Sequence, residues 1–213
     1  MNKKDIKSFL NEQKNSKDID YLKAIFGDKD KDEIEKEINK LKNKQKIKEP
    51  NLYIFLGRLY CGISGVEKDY KEAVKWFSKA IDLDSKSFNS GIAFSFYQLG
   101  LIYLEGGFGI KQDYQKAKDF FQKASNNGNI NAFYQLGCLY RDGNGVEQDY
   151  QKAIDFFQKA VEQHHPESQY ELGLLYYCGL GKEINREKAI TLFHESAEHG
   201  NIQAKIILEL CKK

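Results

Sequence analysis

Apolar residues recur along most of this chain at intervals of three and four, the spacing that lays a stripe down one side of an α-helix. Around Gly137 the stripe is Ala132, Leu136, Leu139 and Tyr140, and further on Ala153, Phe157 and Ala160 trace a second one. Between them Gly143 and Gly145 break the first helix, and Asp149 stands where a carboxylate can accept from the N–H groups that open the next. The predicted unit is thus a helix pair joined by a glycine-rich turn. Its second face returns as Ala73, Phe77 and Ala80 and as Ala117, Phe121 and Ala124, and its cap as Asp69, Asp113 and Asn185.

The unit is a repeat. Lys111 to Ala124, KQDYQKAKDFFQKA, and Glu147 to Ala160, EQDYQKAIDFFQKA, differ only at their first and eighth positions. Anchoring each copy on the glycine of its LG pair gives Gly57, Gly100, Gly137 and Gly173, so the period is 36 residues with insertions of seven and one. The longer insertion falls near Asp84 to Gly91 and the shorter one in EGGFG, both in connections, where added length costs little. A glycine inside a helix costs about 1 kcal/mol against alanine, so its recurrence predicts a neighbour too close for a side chain. After Gly200, GNIQAKIILEL repeats the start of a first helix and then stops, which suits a terminal cap. A lone hairpin cannot bury its apolar face, so the pairs must stack into a solenoid.

The patterns LGRLYCGISGVEKDYKEAVKWFSKAI from Leu56 and LGCLYRDGNGVEQDYQKAIDFFQKAV from Leu136 resemble Sel1-like repeats, relatives of the tetratricopeptide repeat. The resemblance implies an all-α, right-handed α-solenoid of antiparallel helix pairs. It covers residues 50–213, as four repeats and a capping helix. Residues 1–49 are Lys-rich and do not match it; the stripes Ile19, Leu22, Ile25, Phe26 and Ile34, Ile38, Leu41 predict two amphipathic helices, read as an N-terminal cap over the first repeat, with an independent partner-binding arm as the alternative. In the fourth repeat Lys182 replaces Val or Ile and Asn185 replaces Asp, so a looser turn is expected there. In the N-terminal segment Asp28, Asp30 and Asp32 imitate the opening of a calcium loop, but Glu33 and Asn39 stand where its glycine and bidentate acid belong.

Composition narrows the function. A formal net charge of +2 gives no field that would attract nucleic acid, and no apolar run is long enough to span a membrane. The chain therefore reads as soluble and cytoplasmic, with no cofactor. Cys61, Cys138, Cys178 and Cys211 form no CxxC pair and read as buried free thiols. His164 and His165 beside Pro166 at a turn, and His194 and His199 five apart, off the i, i+4 spacing of a helical metal pair, read as side chains facing water and not as a metal site. No catalytic motif is present, so no catalytic or metal-binding residue is assigned.

If the first helices line a concave wall, as the resemblance implies, positions three before, one after and four after each repeat glycine face inward. They supply Tyr97, Tyr134 and Tyr170, then Arg58, then Arg141 and Tyr177, with Gln98 and Gln135 beside them. Tyr and Arg are frequent binding anchors, so this wall is the expected site for a protein or peptide partner. The expected function is an interaction scaffold or adaptor, and the resemblance extends to bacterial immunity and regulatory proteins. It also suggests an alternative, a weak hydrolase or penicillin-binding protein acting on a cell-wall or lactam substrate. The oligomeric state is left open.

Overall fold

The computed structural model describes residues 50–62, 68–83 and 90–211. Among these residues the regular elements are nine helices: α1 (Pro50–Tyr60), α2 (Tyr70–Leu83), α3 (Ser90–Glu105), α4 (Tyr114–Asn126), α5 (Ile130–Asp142), α6 (Tyr150–Val161), α7 (Pro166–Cys178), α8 (Arg186–Glu198) and α9 (Ile202–Cys211). The fold is the expected all-α helical repeat. The predicted N-terminal cap, the failed calcium loop and residues 84–89 of the longer insertion lie outside the described residues.

The helices start where the sequence predicts because the side chains at their entrances satisfy free N–H groups. Asp113, Asp149 and Asn185 each accept from the N–H three residues on, at 2.9 Å, and Asp69 accepts from both Lys71 and Glu72 at 3.1 Å. The backbone N–H of each cap in turn donates to a tyrosine carbonyl in the last turn of the preceding helix, at Tyr60, Tyr103, Tyr140 and Tyr176. Each of these four caps thereby ties the entrance of a second helix to the last turn of the first.

The chain divides into two compact units. One holds α1, α2 and the turn Gly106–Lys111, and the other holds α3 to α9. In both, the helix glycines are occupied by an aromatic ring. A Cβ built on Gly57 would stand 2.7 Å from the Phe77 ring, and on Gly100, Gly137 and Gly173 it would stand 2.4–2.6 Å from Phe121, Phe157 and Phe193. All four phenylalanines are fully buried. In the second unit Ala117 and Phe121 of α4 share a core with Ala132, Leu136 and Leu139 of α5, so successive hairpins are joined through one apolar seam. A second core joins α6, α7, α8 and α9 through Ile154, Leu172, Phe193 and Leu208.

Glycines in the turns perform a different task. Gly145 and Gly181 adopt left-handed φ of 70° and 77° and lean on the preceding hairpin, where an added Cβ would stand 2.5 Å from Tyr114 and 2.7 Å from Tyr150. In the first unit the inserted residue makes a wider turn, Gly106 to Gly109, in which even Phe108 takes φ 48° and sets its ring edge-on to Tyr70 at 5.1 Å.

The looser turn expected in the fourth repeat is not found. Gly179 and Gly181 repeat the φ angles of Gly143 and Gly145 within 10°, and the closing bond from Asn185 N–H to the Tyr176 carbonyl is 2.9 Å against 2.8 Å for Asp149 to Tyr140. Left-handed glycines and backbone bonds set the turn, and the side chain at Lys182 is exposed and plays no part.

Candidate partner-binding face

The site builds on the first helices of the second unit. Tyr97 on α3, Tyr134 on α5 and Tyr170 on α7 each lie one turn before a repeat glycine. The glycine lets the partner phenylalanine in, and the tyrosine ring then settles tilted against it. Ring centroids are 5.8 Å apart at 45° for Tyr97–Phe121, 6.0 Å at 43° for Tyr134–Phe157 and 5.8 Å at 46° for Tyr170–Phe193. All three tyrosines are half-buried, and burial raises all three hydroxyl pKa values. Gln135 of the next hairpin lies near the Tyr97 hydroxyl and lowers its pKa against the effect of burial, and Cys138 on the same helix lies near the Tyr134 hydroxyl and adds to its rise. Burial likewise pushes the Cys138 thiol up to about 11, so both groups stay protonated near neutrality.

One of the predicted anchors, Arg141, is engaged within the protein. Arg141 is clamped by Asp142, with Nε–Oδ1 at 2.7 Å and Nη2–Oδ2 at 2.9 Å, and by Glu171 of α7 through Nη1. It is a tie between two hairpins before it is a free cation. Gln135 is half-buried on α5 beside Tyr97. Gln98 is half-buried on α3. Tyr177 is 38% exposed at the end of α7, with the Arg186 guanidinium 5.8 Å from its ring centre. Arg58 belongs to the first unit, where it is half-buried.

Cysteine placement departs from the expectation of buried thiols. Cys61 and Cys138 are only partly buried, and Cys178 is exposed. Among the described residues no group of His, Cys, Asp and Glu is placed to hold a metal ion.

His165 is the residue the sequence reading undervalued. It caps α7, its Nδ1 accepting from Ser168 N–H at 3.2 Å, while Nε2 lies 2.9 Å from Asn131 Oδ1 on α5. A ring that accepts at Nδ1 must carry its proton on Nε2, so the imidazole is neutral. Burial accordingly lowers its pKa. The ring also covers Tyr134 at 5.3 Å, which fixes one wall of the site. The adjoining Pro166 at the first helical position was the available signal, because it marks the residue before it as the cap.

A lysine and aromatic ladder also went unread. Lys116, Lys152 and Lys188, each three after a cap, lie 5.1, 5.4 and 4.5 Å from the ring centres of Tyr103, Tyr140 and Tyr176. These contacts cover aromatic surface and keep the tyrosines that end the first helices in place.

A Sel1 repeat model matches residues 52–85, 96–129, 131–165 and 166–201, well over half of the chain. The chain belongs to the Sel1 repeat family. No curated protein matches it in sequence. Among solved structures it resembles a Sel1 repeat protein from Oxalobacter formigenes, at 31% identity and TM-score 0.63, over 73% of this chain and 60% of that one. It also resembles c5321, a protective antigen of uropathogenic Escherichia coli with the Sel1-like fold, at 31% identity and TM-score 0.67, over 78% of this chain and 34% of that one. This chain is thus shorter than either relative. Within the described residues no helix is long and apolar enough to cross a membrane.

Proposed function

We propose that this Sel1 repeat protein is a non-enzymatic scaffold that captures a segment of another protein along Tyr97, Tyr134 and Tyr170. The observation that carries the reading is the constancy of these rings. Three half-buried tyrosines on three first helices hold the same tilt against three buried phenylalanines. Rings already fixed by packing lose little freedom when a partner binds, and large aromatic surfaces dominate binding energies. Burial holds the Tyr134 hydroxyl and the Cys138 thiol in their protonated forms, which suits contact better than nucleophilic attack.

The test replaces Tyr97, Tyr134 and Tyr170 with alanine, singly and together, and measures binding to a partner recovered by pull-down. Each single change should weaken binding by about 1–2 kcal/mol, with circular dichroism verifying the fold. Unchanged affinity in a folded triple variant would remove this face from consideration. An immunity role is the narrower form of the reading, motivated by the family resemblance alone, and protection of cells that co-express a neighbouring toxin gene tests it. Reporter lactams incubated with the protein test the hydrolase alternative, for which no turnover and no acyl adduct are expected.

A further inference from the structure

The two near-identical stretches of the repeat differ at their first and eighth positions, and the fold brings one of each together. The eighth position is Val74, Ile154 and Ile190 in three repeats, but Lys118 in the second. The first position is Glu67, Glu147 and Glu183 in three repeats, but Lys111 in the second. Register therefore matches Val74 with Lys111 and Ile154 with Glu183 at the neighbouring junctions. Between the second and third repeats alone it matches a lysine with a glutamate, Lys118 with Glu147.

Both side chains line a groove of about 490 Å³, set between the start of α4, Tyr140 of α5, the turn 145–149 and Lys152 of α6. That volume suits a small organic molecule better than a single ion. Lys118 gives the groove its character. At the equivalent place Ile154 is 2% exposed and packs into the core with Leu172 and Phe193. Lys118 is instead held at the groove by Gln115, whose Oε1 accepts from its Nζ at 2.7 Å while Nε2 donates to the Gly145 carbonyl at 3.0 Å. Gln151, the counterpart of Gln115, turns to Asp155 on its own helix at 3.2 Å.

Four charges line the groove, and two of them answer each other. Asp149 caps α6 and holds Lys152 at 3.1 Å. Besides the neutral Gln115 amide, Lys118 has Asp119 at 4.0 Å, an exposed carboxylate too far and too well hydrated to offset much of its charge. Glu147 is exposed and in no ion pair among the described residues. One cation from the second hairpin and one anion from the third are thus left to a ligand.

We infer that this groove binds a zwitterion, a short peptide with free ends, its carboxylate on Lys118 and its ammonium on Glu147. An ion of a single sign would meet one of the two as a like charge. A quaternary ammonium would need an open aromatic face, and the Tyr140 ring is already taken by Phe156, stacked at 5.5 Å, and by Lys152 at 5.4 Å. A primary ammonium needs none, because its N–H groups donate to a carboxylate.

Amide chemical shifts of the full chain, titrated with the dipeptide Ala-Ala, test this. The expected result is a saturable change confined to residues around Gln115, Lys118 and 145–152, with a dissociation constant on the order of 1 mM. Acetylating the amino end or amidating the carboxyl end of the probe should each weaken binding by at least about tenfold, since each removes one charge-assisted contact. Lys118→Ile and Glu147→Lys should do the same. Both substitutions borrow the residue that the other stretch carries, and circular dichroism verifies the fold. Should Lys118→Ile fail to fold, the exposed Glu147→Lys carries the test. No saturable change, capped dipeptides or inorganic phosphate binding as tightly as Ala-Ala, shifts centred elsewhere, or a folded variant that binds like the parent would each overturn the inference.

Discussion

Gly137→Ala offers the sharpest check on how each hairpin is held. Helix propensity alone predicts a gain of about 1 kcal/mol. The structure predicts a loss. The new methyl would sit 2.5 Å from Phe157 Cε1 and 2.6 Å from Cδ1, where carbon atoms prefer about 3.5–4.0 Å. Phe157 is fully buried between α5 and α6, so the ring cannot swing out and the helices must part by about 1 Å. Overpacking of this kind costs about 1–3 kcal/mol, which leaves a net destabilisation of about 1 kcal/mol and up to 2. Urea unfolding followed by circular dichroism reads it, and a double-mutant cycle assigns the cause. In a Phe157→Ala background, itself destabilised by about 3–5 kcal/mol, the same Gly137→Ala should be neutral or stabilising. A variant at least as stable as the parent with Phe157 in place, or a loss that persists without the ring, would refute the account of the repeat glycines.

Three further outcomes are expected. His164 takes φ 58° where the equivalent turns carry Gly128 and Gly200, so His164→Gly should stabilise the protein by about 0.5 kcal/mol, read as a melting temperature higher by about 1–2 °C. Because burial lowers the His165 pKa, the unfolded chain binds the extra proton first. Stability should be full above the ordinary histidine value and decline as the pH falls through it toward the lowered folded value, and His165→Asn, which keeps a cap, should flatten that decline in a melting series. At pH 8 a thiol with a pKa of about 11 is only about one-thousandth ionised, so mass-spectrometric mapping should find exposed Cys178 alkylated at least about tenfold faster than Cys138.

The repeat, its caps and its helix glycines were legible because each is a local rule repeated. Asp113 and Asp149 meet the N–H three residues on in the same way, and a glycine inside an apolar stripe has few explanations besides close approach. The tyrosine row was legible for the same reason, since one register recurs on α3, α5 and α7. What escaped the sequence depends on contacts between hairpins. Arg141 counts as a free anchor until Glu171, thirty residues away, is seen to hold it. His165 reads as a polar turn residue until Asn131 and Tyr134 are placed around it. The fourth turn was misjudged because a side chain, Lys182, was given weight that belongs to backbone angles.

The turn glycines that rest on the preceding hairpin have a consequence for how the molecule comes apart. Each such turn acts as a latch on the start of its predecessor's second helix, Gly145 at Tyr114 and Gly181 at Tyr150. The latches all point one way, from each pair back to the one before it. The start of α8, where Arg186 is exposed, has no described turn resting on it. Amide exchange should therefore begin at that end of the second unit and advance toward α4 like a zip drawn down one tooth at a time.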